Sequence, residues 1–555
     1  MTLRSIVLAG GLLVGSLQTI WAENLLPPAP FTNFGDTTKK APENWFNLDG
    51  TTDKTRGVST EKAYQTILKD KPSKTVVVAV IDSGIDITHE DLKDNLWINA
   101  KEIPNNGIDD DKNGYVDDIY GWNFIGGKDG KNVSNDSYEM TRMYVALKKK
   151  YDGKSEGTVA ADQQAEFKQY LAIKEAFEKK TTQIRQQLAG YKNFQTNYMK
   201  AKKMISAYLD TDNLTIEDLQ EVNSEDEKIK NSVMALAYAM SNGIDEEKLN
   251  EGIKYFEDQI QYGYNVDFDP RNIVGDNYAD LSEKYYGNND VAGKGADAKH
   301  GTHVAGIIAA NRKNNLGMQG VADNVKIMSL RAVPDGDERD KDIANAIRYA
   351  VDNGAKVINM SFGKSYSPDK KVVDAAMQYA ESKGVLLVHA AGNDGKNLDT
   401  AENYPNKTTK AGTTINTWLE IGAGSWGDND NFVGDFSNYG KKSVDLFSPG
   451  VSIYSTTPDQ KYESLDGTSM ASPVAAGVAA VIMSYFPELS AAQVKEVLMK
   501  SVVRYPKTKV NKPGKGEEDK ATMIDFEQLS VSGGLINLYE AAKLAELMSK
   551  KIRKK

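Results

Sequence analysis

Three short segments of the 555-residue chain carry a carboxylate, an imidazole and a hydroxyl in settings suited to nucleophilic chemistry. Val78-Ala-Val-Ile-Asp82-Ser-Gly84 ends an aliphatic run on an acid. His300-Gly-Thr-His303-Val-Ala-Gly306 places an imidazole among small residues at a loop-to-helix junction. Gly467-Thr-Ser469-Met-Ala-Ser-Pro473 places a hydroxyl before a stretch, 470–486, that is apolar or small almost all round and is therefore expected to be a buried helix. A hydroxyl is a weak nucleophile at its own pKa and needs a neighbouring base. A helix N-terminus adds free N–H groups and positive potential that stabilise a developing oxyanion. Each segment alone also has a plain reading: a turn at Asp82, a core histidine, an N-cap at Ser469. That plain reading is kept for His303, one turn into its helix.

These groups need a frame to bring them together. Nearly continuous aliphatic runs predict buried strands at 75–81, 326–332, 356–360 and 385–390. Helical stretches lie between them at 300–310, 341–352 and 370–383, the last followed by Gly384 as a stop. Such alternation argues for a doubly wound α/β sheet, in which active groups gather at the carboxyl ends of strands. Asp82 lies just past such an end. Residues 135–289 break the pattern. They are rich in Lys, Glu, Gln and Tyr, and Thr215–Asp218 and Ser224–Glu227 have the form of capping boxes. Val233, Leu236, Ala237 and Met240 share one helical face, as do Leu249, Ile253, Phe256 and Ile260. Several helices are expected there, with stripes too short for a long coiled-coil arm. Ser490 and Asn537 are placed to cap two further helices.

In the order Asp82, His300, Ser469 the three segments resemble the subtilisin-like serine peptidases (subtilases, S8 family), and that order is itself a known mark of the family. The resemblance spans about 58–130 and 291–501. It implies an α/β fold with a subtilisin-like, doubly wound, mostly parallel sheet, here carrying a large helical insertion between the catalytic Asp and His. It also implies roles. Ser469 attacks the scissile carbonyl, His300 moves the proton, and Asp82 orients the imidazole and stabilises its charged form. Asn393, after Ala390-Ala-Gly, completes the oxyanion hole with the Ser469 N–H. Ser361, Phe362 and Gly363 correspond to the family's substrate-binding edge strand, and Ala391 and Gly392 join them as substrate contacts. An edge of this kind takes polypeptides in extended conformation by strand addition. The implied activity is serine endopeptidase, with no organic cofactor. A binding module built on the same fold is the rival reading, and the presence of all four groups argues against it. A processing protease acting on one partner stays open.

The chain departs from the family pattern in places. Val474 stands where many members have His. The 135–289 insertion separates Asp82 from His300. Little chain precedes Asp82 for the N-terminal folding segment of secreted relatives. The insertion is therefore expected either to take over part of that segment's work, as folding aid or active-site cap, or merely to narrow substrate access.

Asn106–Asp118 resembles the start of an EF-hand loop. Asp109, Asp111 and Asn113 alternate and Gly114 takes the sharp sixth position, but Tyr120 replaces the twelfth-position Glu. A structural Ca²⁺ is expected, with Asp109, Asp111, Asn113, Tyr115 and Asp117 as candidate ligands.

Composition narrows the classes. Zero Cys excludes disulfides, thiolate zinc sites, iron–sulfur clusters and Cys nucleophiles, and four His are too few for a His-rich metal cluster. A formal charge of −10 disfavours nucleic acid as a partner. Residues 1–22, with Arg4, an apolar run and Ala22, read as a signal peptide. Export to a periplasm or the medium is expected, with no stable membrane insertion of the mature chain. The expected organisation is a leader (1–22), an N-terminal extension (23–56), a peptidase domain (57–134 and 290–505), the insertion, and a C-terminal helix with a basic tail (506–555).

Overall fold

The computed structural model describes residues 41–293, 295–427, 431–514 and 522–554; the expected leader at 1–22 lies outside them. Its contacts divide the chain at Met140 and Phe268 into an inserted unit and a sheet unit.

The aliphatic runs of the sheet unit form its strands: β1 (Val76–Asp82), β2 (Gly121–Asn123), β3 (Val325–Arg331), β4 (Val357–Met360), β5 (Leu386–Ala390), β6 (Trp418–Gly424) and β7 (Leu446–Pro449). A hairpin of β8 (Ile453–Thr457) and β9 (Lys461–Leu465) follows, then β10 (Val503–Arg504), the pair β11 (Lys509–Asn511) and β12 (Met523–Asp525), and β13 (Gly534–Leu535). Nine strands make one sheet in the order β10-β13-β7-β6-β5-β4-β1-β3-β2. Its pairings are parallel except β10 with β13. The expected doubly wound, mostly parallel sheet is therefore present.

Helices cover both faces. They are α1 (Lys299–Ala309), α2 (Asp340–Asp352), α3 (Lys370–Ser382), α4 (Thr468–Tyr485), α5 (Ala491–Lys500) and α6 (Leu538–Ile552). Side chains alternate across a strand. Val78 and Val80 join the core under α1 and α4, while Ala79 and Ile81 join the one under α2 and α3. Double burial explains why the strands read as continuous apolar runs. From β1 the chain builds β2 and β3 on one side, then β4 to β7 on the other. The carboxyl end of β1 is thus a switch point, where an open α/β sheet forms its crevice.

Helix α4 alone among the described residues is long and apolar enough to cross a membrane. Here it is the central core helix, buried at every residue except Ser469. The four expected strands and the helices expected at 300–310, 341–352 and 370–383 have bounds within one residue of those expected, whereas α4 begins two residues before the expected 470. Ser490 and Asn537 cap α5 and α6.

The inserted unit is helical, as its composition predicts, but it is built differently in detail. One helix, Gln164–Leu209, runs for 46 residues. It packs against Glu227–Ser241 and Glu246–Asp258 around Leu219, Val233, Leu236 and Leu249. Thr215 and Asp218 form the expected capping box. Ser224 does not cap: Asp226 is the N-cap, its carboxylate accepting from Lys228 N. Residues 135–139 and 269–289, read from composition as insertion, belong to the sheet unit. There Asn288 bridges Asn123, and Arg271 pairs with Asp276 and Asp342.

Candidate active site

Asp82 ends β1 and is 2% exposed. Its Oδ1 accepts from the Ser83 N–H at 2.7 Å and meets His300 Nδ1 at 2.7 Å. His300 stands in the first turn of α1. Gly301 lets that turn come close, since a β-carbon there would lie 2.2 Å from the Gly84 carbonyl oxygen. Burial disfavours the imidazolium, but the Asp82 charge and hydrogen bond outweigh it and hold the ring's pKa above its ordinary value. With Nδ1–H donated to Asp82, Nε2 carries the free lone pair of a base.

Ser469 is the second residue of α4, which packs against α1. Pro473 has no N–H for the Ser469 carbonyl four residues back. Ser361 Oγ fills that place, donating to Ser469 O at 2.9 Å, while Ser469 Oγ donates to Ser361 O at 3.1 Å. Ser361 is held by Asn359 Nδ2 at 2.9 Å, and Asn359 Oδ1 accepts from Ser472 Oγ at 2.8 Å. A closed polar chain thus joins the end of β4 to the first turn of α4.

Asn393 lies beyond β5. Its Oδ1 accepts from both Thr468 N and Thr468 Oγ1 at 2.9 Å, so the amide is turned with Nδ2 away from Thr468. Thr468 Oγ1 also accepts from Gly392 N at 3.0 Å. Gly467 has φ 155° and ψ 157°, a region open essentially to glycine. A β-carbon there would lie 3.5 Å from Asn393 Nδ2 and 3.5 Å from Ser469 N. The two donors therefore flank one small space that the missing side chain keeps open. Gly363 and Gly392 are similarly close to Asn403 and Asn438, and Asn403 Nδ2 donates to Ala391 O at 3.0 Å.

The remaining histidines are bonded to other parts of the fold. His303 Nε2 meets Glu463 O at 3.0 Å, and burial pushes its pKa down to about 3. His389 Nδ1 meets Glu420 at 2.9 Å, and His89 is enclosed by Tyr462 and Lys461 O.

In the acidic loop, the carboxylates of Glu102, Asp109 and Asp111 converge within 4.8 Å of one another. Three hard oxygen donors suit Ca²⁺. Glu102 was missed because it lies before the motif. Asp117 is turned to the N–H groups of Asn106 and Gly107, and Asn113 to Tyr115 N and Asp118. The Tyr115 ring packs on Trp122 and Tyr349. Thr468, Asn359 and Ser472 also escaped sequence reading. Their work is hydrogen bonding between distant segments, which leaves no local pattern.

The subtilase family profile matches residues 73–523. Thermitase of Thermoactinomyces vulgaris is 39% identical over 38% of this chain and 72% of that protein. Subtilisin DY of Bacillus licheniformis is 39% identical over 36% of this chain and 68% of its own. The cell wall-associated protease of Bacillus subtilis is 35% identical over half of this chain, although only 26% of that longer protein is matched. With most of its length under one family profile and a sheet of the expected topology beneath it, the chain belongs to the subtilase family of serine endopeptidases.

Proposed function

We propose that this chain is an exported endopeptidase that hydrolyses peptide bonds through Asp82, His300 and Ser469 and an acyl-enzyme. The observation that carries the reading is the pair of N–H donors, Asn393 Nδ2 and Ser469 N, flanking one space beside Gly467. Ser469 Oγ leaves the Ser361 carbonyl and attacks the scissile carbon as its proton passes to His300 Nε2. The oxyanion enters the space under Gly467. The C–N bond breaks, the departing amine takes the proton from His300, and the acyl group stays on Ser469. Water then attacks, giving its proton to His300, and the acid leaves as Ser469 recovers a proton. Asp82 keeps the ring in the Nδ1–H tautomer throughout. Ser361–Gly363 would hold the substrate as an added strand, and Ala391 and Gly392 would line its other side.

Export is supported by the leader-like 1–22 and by the relative named as cell wall-associated. Ca²⁺ at Glu102, Asp109 and Asp111 would be structural, relieving repulsion among the carboxylates. The inserted unit of Met140–Phe268 is read as an accessory to the peptidase domain. The test is hydrolysis of an unfolded protein such as casein by the purified chain. Activity abolished in Ser469→Ala at unchanged melting temperature is expected; equal activity in that variant refutes the assignment.

A further inference from the structure

Lys364 follows directly on Gly363. A lysine ammonium has three donors and a full charge, and burying it without partners is prohibitive. The Lys364 side chain is 2% exposed. Its Nζ donates to Glu139 Oε2 at 2.8 Å and Glu338 O at 2.7 Å and forms an ion pair with Asp340 Oδ1 at 2.8 Å. Its backbone is pinned as well, exchanging both hydrogen bonds with Tyr404 at 3.0 and 2.9 Å. Asp340 Oδ2 in turn holds Ser367 Oγ and Asp369 N, each at 2.9 Å.

Glu139 is the last residue of the sheet unit before the inserted unit begins. The rest of that root is clamped in the same way. Asp136 takes Arg339 through two bonds of 2.7 and 2.9 Å, and Arg339 also reaches Asp269 on the returning chain at 2.8 Å. Arg271 makes two bonds each to Asp276 and Asp342, and Lys341 reaches Asp276 and Glu283 at 2.6 and 2.9 Å. Both crossings are therefore fastened at residues 339–342, where α2 begins, and the outgoing one also to Lys364.

We propose that Lys364 is a positioning residue, coupling the substrate edge to the root of the inserted unit through its ion pair with Glu139. The seating of that root then sets how well an extended peptide binds, without altering the chemistry at Ser469. This rests on the reading of Ser361–Gly363 as the substrate edge.

The test uses the full chain and Glu139→Gln, which keeps an oxygen that can accept from Lys364 but removes the charge of the ion pair to the root, and leaves Lys364 paired with Asp340. A fluorogenic hexapeptide should show KM raised about five-fold or more, with kcat and the fluorophosphonate labelling rate of Ser469 within about two-fold. An unchanged KM in the folded variant overturns the proposal. So does a parallel fall in peptide turnover and labelling, which marks general loosening of the site. Should Glu139→Gln fail to fold, the charge-balanced pair Lys364→Met with Glu139→Gln carries the same expectation. A hexapeptide methylated on its backbone nitrogens separates the two readings. If wild type binds it as well as the parent, the substrate edge itself is misassigned. If methylation raises KM while Glu139→Gln does not, only the coupling fails.

Discussion

Thr468→Val tests whether the oxyanion donor is held by its neighbour, because the change is nearly isosteric and removes only a hydroxyl. That hydroxyl makes two bonds, donating to Asn393 Oδ1 at 2.9 Å and accepting from Gly392 N at 3.0 Å. After the change Asn393 keeps only the Thr468 N–H, one of its two restraints. A typical intramolecular hydrogen bond contributes about 0.5–1.5 kcal/mol net, which converts to about two- to twelve-fold. Felt as lost orientation of Nδ2, the loss should fall on kcat, since the oxyanion exists only on the way to the acyl-enzyme. The Gly392 N–H is left without its partner, which costs about 1–3 kcal/mol of stability if water does not reach it. Steady-state kinetics on a chromogenic peptide and urea unfolding read the two effects separately. Thr468→Ser retains both bonds and should keep kcat. Full kcat in the valine variant, or a serine variant as poor as valine, would refute the reasoning.

Three further outcomes are expected. Asp82 holds the His300 pKa above its ordinary value, so kcat/KM should rise with pH through an acid limb lying above about 6.5, where the base form appears. In Asp82→Asn only desolvation remains, so the limb of the residual activity should move down; a pH–rate profile with an unmoved limb contradicts this. His303 has its folded pKa pushed down to about 3, so between about pH 6.5 and 3 the unfolded chain takes up a proton that the folded one refuses. Stability should therefore fall in that window by about 1.4 kcal/mol per pH unit from this group, and His303→Gln should flatten the slope in denaturant titrations. For the acidic loop, a chelator should lower the melting temperature of wild type but not of Glu102→Gln with Asp111→Asn; equal melting of wild type with and without chelator counts against Ca²⁺ there.

Much of the sheet was legible in the sequence because its strands are buried on both faces and so spell continuous aliphatic runs, as in β1 and β5. β6 escaped because Glu420 and two glycines interrupt it; Glu420 is buried only by virtue of His389 and Trp418. The length of the Gln164–Leu209 helix was not readable either. Its buried residues are widely spaced, and helices far along the chain supply their partners. At Ser224 a serine and a glutamate at the right spacing suggested a cap, yet Asp226 won with a better acceptor. Asp82 and His300 meet at 2.7 Å, and the other candidate site groups lie at the carboxyl ends of strands and the first turn of α4. What the sequence could not display is orientation: that Ser469 donates to Ser361, and that Thr468 turns Asn393 outward.

The most direct measurement is the intact mass of the purified chain after exposure to a fluorophosphonate, followed by mapping of the modified peptide. One adduct per chain, located on Ser469, absent in Ser469→Ala and strongly slowed in His300→Ala at unchanged folding, is the predicted result. A folded wild-type chain that takes no adduct, or takes it on another serine, contradicts the account.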